Sequence, residues 1–498
     1  MNRKVTLLYI SLACVLSLQA QTRQQMGGVY YAYPEGPSAK TGTFGTATYV
    51  LSDSLNVPQG YAPFYISHYG RHGSRWMPKD DRYVWICKHF EDESNLTPLG
   101  LQVKGMLQRV WENAKGNGGK LSKLGALQHQ GIAHRMFERY PQIFAAGNAV
   151  KARSSVVDRC AKSMQAFTSE LHTLQSGLNL DVKTDSADMA WIAYVSPEVK
   201  ALENRTHVQA QVSPRRFLLQ LFKDVSKVDE PLKLMTEMHT VVSSIQDVGL
   251  NFSSYPQDIE DGLNALFTDD EFRAIYEANN LRMTINNGTV ATNEDIPARS
   301  AISLWQNIEA EADRALRSVK SSATLRFGHD TALYRLLSLL FDVNVPPAGA
   351  REEASLVVLG DEMEKMDRIV PMAANLQMIF YKNAKDSVLV KFMLNERDIM
   401  LSPVGQVIYG THYYSWNAWK QEMHERIHRL EHIRQLNAIN TMVGTAQANT
   451  QTAGMFGKGS EEHGQTIPAV LVPNGQNFWT PQTQDTEQKC IAKIPMVL

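Results

Sequence analysis

Residues 64–78 read FYISHYGRHGSRWMP, and within them two arginines bracket a histidine: Arg71, His72 and Arg75. A guanidinium presents a planar fork of donors that matches phosphate oxygens, so two such forks make an anion clamp. A neutral imidazole held between them is placed to attack the phosphorus that the clamp holds. The competing reading is a solvated basic turn with one incidental histidine, because short motifs recur by chance. The elements around the triplet must decide. Ahead of it, the apolar run at 64–66 reads as a buried strand, and Gly70 and Gly73 let the backbone turn sharply at its end.

The same arrangement recurs twice. Residues 149–152 read as a short strand, followed by Arg153-Ser154-Ser155 and a helix with Val156, Val157, Cys160, Met164, Phe167 and Leu171 at the three-to-four spacing. An arginine beside the free N–H groups of a helix start is suited to an anion. Residues 323–327 form the third strand candidate, followed by Gly328, His329 and Asp330 and a helix over 331–340. Each junction alone is a weak signal. Three strand–junction–helix units together predict an α/β fold with a mainly parallel sheet flanked by helices, its polar clusters gathered at the carboxyl edge of the strands.

RHGSRWMP resembles the Arg-His-Gly-x-Arg-x-Pro signature of the histidine acid phosphatases, with one extra residue before Pro78. ARSSVVDRCAKS resembles that family's Arg-Ser-Ser segment, and GHDT its His-Asp signature. The resemblance implies that His72 is phosphorylated during turnover and that Asp330 supplies the proton to the leaving group. It implies that Arg71, Arg75, Arg153 and His329 bind the phosphate. No metal or other cofactor is then required, since arginines do the charge work that Mg²⁺ does in other phosphoryl transfers. The implied substrate is a small-molecule phosphomonoester. An inositol phosphate, as for a phytase, is the first expectation, with broad-specificity and sugar-phosphate acid phosphatases as alternatives. The multiple inositol polyphosphate phosphatase branch often carries His-Ala-Glu where this chain has His329-Asp330. A phosphomutase of the wider group fits poorly, because its usual acid is a glutamate and its location the cytoplasm. A binding protein on the same scaffold would lack a core residue, and none is missing.

The remaining chain sets bounds on these readings. A net charge of −1 in 498 residues argues against nucleic acid as a partner, so attraction for a polyanion must come from a local basic pocket. Arg3 and Lys4 precede an apolar run to Leu18, which reads as a signal peptide over 1–20 and predicts export to the periplasm or medium. A lipoprotein site at Cys14 is the alternative. No other stretch reads as a transmembrane segment. Cys87, Cys160 and Cys490 allow at most one disulfide and lack CxxC spacing.

Residues 21–190 read as the first part of the core, an irregular lead-in followed by the motif strand, with a helical excursion near 81–124. Residues 191–322, rich in amphipathic patterns, read as an inserted helical cap. Residues 323–436 read as the second part of the core, including a β-hairpin near 376–394 and a helix over 416–436. Residues 437–498 read as a loop-rich tail. His424-Glu425-Arg426-Ile427-His428 matches the zinc-peptidase motif H-E-x-x-H. Arg426 and Arg429 would weaken a cation site there, and a solvated polar helix face is the simpler reading.

Overall fold

The computed structural model describes residues 21–34, 36–38, 40, 41, 43, 57–340, 365–399 and 413–454. The signal-peptide reading, the Cys14 alternative and Cys490 lie outside these. By contacts the chain divides into two units at Ile427/His428, and the sheet, the inserted helices and the candidate site all belong to the first. The second holds the later part of the last helix.

The sheet has the strand order β3-β2-β4-β1-β5-β6-β7, with β8 paired to β6. Its strands are β1 (Tyr61–Arg71), β2 (Ala149–Ser154), β3 (Asn179–Thr184), β4 (Ser322–Gly328), β5 (Asn375–Asn383), β6 (Val388–Leu394), β7 (Arg397–Ile399) and β8 (Tyr413–Ser415). The half formed by β3, β2, β4 and β1 is parallel. The half beyond β1 is antiparallel and contains the anticipated hairpin as β5 and β6. Ile66, Ala152, Leu325 and Phe327 form an apolar cluster with Ile132, Met164 and Phe167 of the helices that cover the parallel half.

Before β2 lie α1 (Asp80–Lys88), α2 (Pro98–Ala114) and α3 (Lys123–Arg139). The start of α2 is capped: the Thr97 Oγ accepts the Gly100 N–H at 3.0 Å, with Pro98 in the first turn. The helical excursion is broken after α2, where Gly116 and Gly119 take φ values of 76° and 74°. After β2 comes α4 (Asp158–Leu174). Between β3 and β4 the chain is helical, the longer members being α5 (Pro231–Val248), α6 (Asp269–Asn287) and α7 (Ile302–Leu316). Met235, Met238, Val241 and Ile245 of α5 pack with Val103 and Leu107 of α2 in a second core. After β4 comes α8 (Asp330–Leu340).

In the irregular lead-in, residues 25–30 form a 3₁₀ turn (Gln25–Tyr30), and Gly28 reverses the chain inside it at φ 61°. Two features depart from the sequence reading. β3 was not anticipated, because its sequence NLDVKT lies at the sheet edge, largely exposed, and offers little apolar signal. The final helix, α9 (Trp416–Gly454), continues well beyond 436 into the segment read as loop-rich. Its Ala, Gln, Met and Leu residues are adequate helix formers, whatever their polarity.

Candidate active site

Arg71 is the last residue of β1 and registers with Gly328, the last of β4. Just beyond, the His72 N–H donates to the Gly328 carbonyl at 3.0 Å and the Ser155 N–H to the Phe327 carbonyl at 2.9 Å. These bonds tie the three polar junctions together at the carboxyl edge of the parallel strands, where open α/β sheets build their sites. The loop after β1 lies directly on the start of α3. A Cβ on Gly73 would stand 2.4 Å from the Gly125 carbonyl oxygen, and one on Gly125 would stand 2.3 Å from that of Ser74. Neither position admits a side chain, so the glycine of the motif is demanded by a backbone-on-backbone contact. The Gly73 N–H is satisfied from the other side by the Ser163 Oγ of α4 at 3.1 Å.

His72 is buried, and its Nδ1 lies 2.9 Å from the Gly73 carbonyl oxygen. A carbonyl only accepts, so Nδ1 carries the proton and Nε2 keeps a lone pair. Burial first, then the charges of Arg71, Arg75 and Arg159, hold the imidazole pKa well below its usual value. The ring is therefore neutral, with an unprotonated Nε2. His329 stands edge-on to it with ring centroids 5.8 Å apart. The His329 Nε2 lies 3.1 Å from the Ser155 Oγ, and its backbone N–H donates to the Tyr69 hydroxyl at 3.3 Å. Burial, followed by Arg159, lowers the His329 pKa to about 4.

The Arg71 Nη1 donates to the carbonyls of Val29 at 2.8 Å and Val370 at 2.6 Å. Its Nη2 faces the Asp330 Oδ2 at 3.0 Å as an ion pair. Burial pushes the Asp330 carboxyl up, but Arg71, Arg75 and His329 outweigh that and hold it below the usual range. The second Asp330 oxygen accepts the Thr331 N–H at 2.9 Å at the start of α8. Arg75 donates to the Trp76 carbonyl at 2.8 Å, and its guanidinium carbon lies 5.4 Å from the centroid of the Tyr30 ring.

The structure does not bring Arg153 to this cluster in the expected way. Arg153 is part of β2, not beyond its end, and its guanidinium is laid across to β3. There it donates to the Asp181 carbonyl at 2.8 Å and the Asp181 carboxylate at 2.6 Å. The arginine that faces the clamp is Arg159, whose charge acts on both His72 and His329. Its Nε has no hydrogen-bond partner among the described residues. The signal was present in the helix period. Arg159 lies one turn before Ser163, which holds Gly73, so the two share the face of α4 that looks at the motif loop.

Beside the clamp lies a cavity of about 210 Å³ with a mainly apolar lining, into whose walls Tyr30, Arg82, His239, Ser243, Arg282 and Asn286 also enter. The His239 Nε2, Ser243 Oγ and Asn286 Oδ1 are buried there without hydrogen-bond partners among the described residues. Among the described residues no group of three or more His, Cys, Asp or Glu is placed to hold a metal. His424, from the H-E-x-x-H match, bonds the Glu309 carboxylate of α7 at 2.8 Å. Cys87 and Cys160 are free thiols. Among the described residues no helix is long and apolar enough to cross a membrane.

No protein-family model matches the chain. A chicken (Gallus gallus) protein, Multiple inositol polyphosphate phosphatase 1, is 23% identical over 338 residues, covering 65% of this chain and 73% of its own. The structure is similar to that of the Bifidobacterium longum multiple inositol polyphosphate phosphatase in complex with inositol hexasulfate. The TM-score is 0.60 at 16% identity, over 80% of this chain and 97% of that one. It is also similar to the phytase from D. castellii, with a TM-score of 0.55 at 13% identity, over 82% and 88% of the two chains. The sheet with its insertion of helices, shared with these structures, defines the class: an α/β phosphatase fold of the phytase type. The chain is thus similar to multiple inositol polyphosphate phosphatases and to a phytase, and shares their fold.

Proposed function

We propose that this enzyme hydrolyses inositol polyphosphates through a phosphohistidine intermediate. The observation that carries the mechanism is the His72 ring itself, with Nδ1 engaged by the Gly73 carbonyl and Nε2 free among arginines. In the first step the Nε2 lone pair forms the N–P bond while the ester P–O bond breaks. Arg71, Arg75, Arg159 and His329 face the equatorial oxygens, and Asp330 gives its proton to the departing alkoxide. In the second step water attacks phosphorus, its proton returns to the Asp330 carboxylate, and the N–P bond breaks to release phosphate. Asp330 is ionised in the free site because of the arginines. A bound phosphate dianion offsets their charge and replaces the carboxylate at Arg71, which raises the acid into its working range.

Two observations favour inositol polyphosphates over small monoesters. The relative and the solved structures named above are inositol polyphosphate phosphatases and a phytase. The cavity beside Tyr30 offers Arg82 and Arg282 to parts of a substrate beyond the reacting phosphate. The signal-peptide-like first twenty residues make export part of the proposal, which sequencing the N-terminus of the mature protein tests.

The deciding experiment is phosphate release from a panel containing inositol hexakisphosphate, a sugar phosphate, glycerol phosphate and an aryl phosphate. The proposal expects the highest kcat/KM on the inositol phosphate, with Arg282→Ala raising KM for that substrate and leaving the aryl phosphate unaffected. Equal kcat/KM across the panel supports a broad acid phosphatase instead.

A further inference from the structure

Every polar atom of Ser74, which sits between His72 and Arg75, is taken. Its N–H donates to the Gln128 Oε1 at 2.9 Å, and its carbonyl accepts the Ser122 N–H at 2.9 Å and the Ser122 hydroxyl at 3.0 Å. Its Oγ accepts from the Gln128 Nε2 at 2.9 Å and donates to the Asp247 Oδ1 at 2.5 Å. Ser74, Gln128 and Asp247 are all fully buried. Gln128 comes from α3, which lies next to the loop in sequence and space. Asp247 comes from the far end of α5, in the helical insertion, and is the single side chain by which that helix bonds to the Ser74 hydroxyl.

A fully buried carboxyl is an expensive way to fill space, since an apolar residue of similar volume is generally more stable. Its placement is specific as well. His239, Ser243 and Asp247 are spaced four apart on one face of α5, so the polar stripe that lines the cavity ends on the catalytic loop. The charged and titratable groups that act on the carboxyl are Arg71 and Arg75 from the motif and Tyr255 from the segment after α5. Its Oδ2 has no hydrogen-bond partner among the described residues.

We propose that Asp247 is a positioning residue that fixes the nucleophile loop through the Ser74 hydroxyl, so that the helical insertion sets the alignment of His72 and Arg75. This rests on the phosphohistidine reading above. The role is one of alignment: Asp247 touches neither substrate nor the reacting atoms, and a misplacement of about an ångström at such a loop can cost roughly 10²-fold in rate.

The test measures kcat and KM of the full-length enzyme and of Asp247→Ala, Asp247→Asn and Ser74→Ala on one aryl phosphate, with melting temperatures alongside. Asparagine keeps an oxygen where the Ser74 hydroxyl donates. Asp247→Ala is expected to lower kcat by about tenfold or more with a smaller change in KM. Ser74→Ala should lose a similar factor, and Asp247→Asn should recover most of the loss. An Asp247→Ala enzyme that is folded and keeps kcat within twofold overturns the proposal, and so does an Asp247→Asn enzyme as impaired as the alanine variant. If Asp247→Ala fails to fold, unimpaired kcat in Ser74→Ala overturns it equally. An inactive wild type would instead bring down the phosphatase reading, and the inference with it.

Discussion

Buried Arg71 and partly exposed Asp330 form an ion pair across the mouths of β1 and β4, with Nη2 3.0 Å from Oδ2. On the proposed mechanism the clamp arginine and the acid hold each other in the free enzyme, and a phosphate separates them on binding. Removing the acid should matter according to the leaving group. An alkoxide needs a proton as the P–O bond breaks, whereas a nitrophenolate does not. Asp330→Asn should depress hydrolysis of alkyl phosphates at least about tenfold more than that of nitrophenyl phosphate, since a positioned acid is worth about 10²–10⁴ in rate. Equal losses on both substrates with a lowered melting temperature would reduce Asp330 to the helix-start role of its Thr331 bond.

The same ion pair fixes a pH relationship. The Asp330 carboxyl in the free enzyme is held below its usual range by Arg71 and Arg75 against the opposing effect of burial. The profile of kcat/KM reports the free enzyme and that of kcat the complex. Activity on alkyl phosphates should fall as pH rises through the pKa of the acid. That fall should come at lower pH in kcat/KM than in kcat, because the bound phosphate relieves the arginine field. Coincident limbs would mean that substrate leaves Asp330 unperturbed.

Arg159 and Arg153 can be separated by conservative replacement. Lysine keeps the charge but loses the planar fork. Arg159→Lys should cost about a hundredfold or more in kcat, the usual effect of one preorganised transition-state donor. Arg153→Lys should chiefly loosen the β2–β3 edge, where its partner is Asp181, and show in melting temperature before it shows in rate. The reverse pattern would restore the arginine of the Arg-Ser-Ser segment to the clamp.

This exchange of arginines shows what the sequence makes legible. Strand–junction–helix units are visible because apolar runs, glycines and helix periods are local signals, and they located β1, β2, β4 and the residues His72, His329 and Asp330. Arg153 reads as a junction residue only while the strand is taken to end at 152; β2 runs on to Ser154, so Arg153 lies inside it with its guanidinium committed to Asp181 of β3. Arg159 was missed because its reason is tertiary: Ser163, one turn on, touches Gly73. Asp247 carries no local signal at all, being an acid in an otherwise amphipathic helix whose partner, Ser74, is 173 residues earlier.

His72 should be the sole phosphoryl acceptor. His72→Ala should abolish turnover in a folded protein, and quenching the wild type into alkaline detergent should trap a base-stable, acid-labile label on that residue. Because burial and three arginines hold the imidazole neutral, labelling by an aryl phosphate should not decline as pH falls through about 6.5, the ordinary histidine value. A decline there would show that the ring protonates in the free enzyme, and label on serine or aspartate would remove the mechanism.

Asp247 offers a test of the site's electrostatics that needs no substrate. Burial pushes its carboxyl up to about 8, against the lowering effects of the Ser74 bond, Arg75 and Arg71. In the unfolded chain the same group titrates near 3.9. Between about pH 4 and pH 8 the folded protein therefore holds a proton that the unfolded chain has lost, and stability must fall as pH rises across that window, by up to about 1.4 kcal/mol per pH unit from this group. Asparagine does not titrate. The stability of Asp247→Asn relative to wild type, read from parallel denaturant melts, should therefore climb from pH 4 to pH 8 and level off above. Parallel curves would mean that the acid is ionised in the fold at ordinary pH. Asp247 would then be a permanent counter-charge to Arg71 and Arg75, and the bond to Ser74 would be that of a carboxylate.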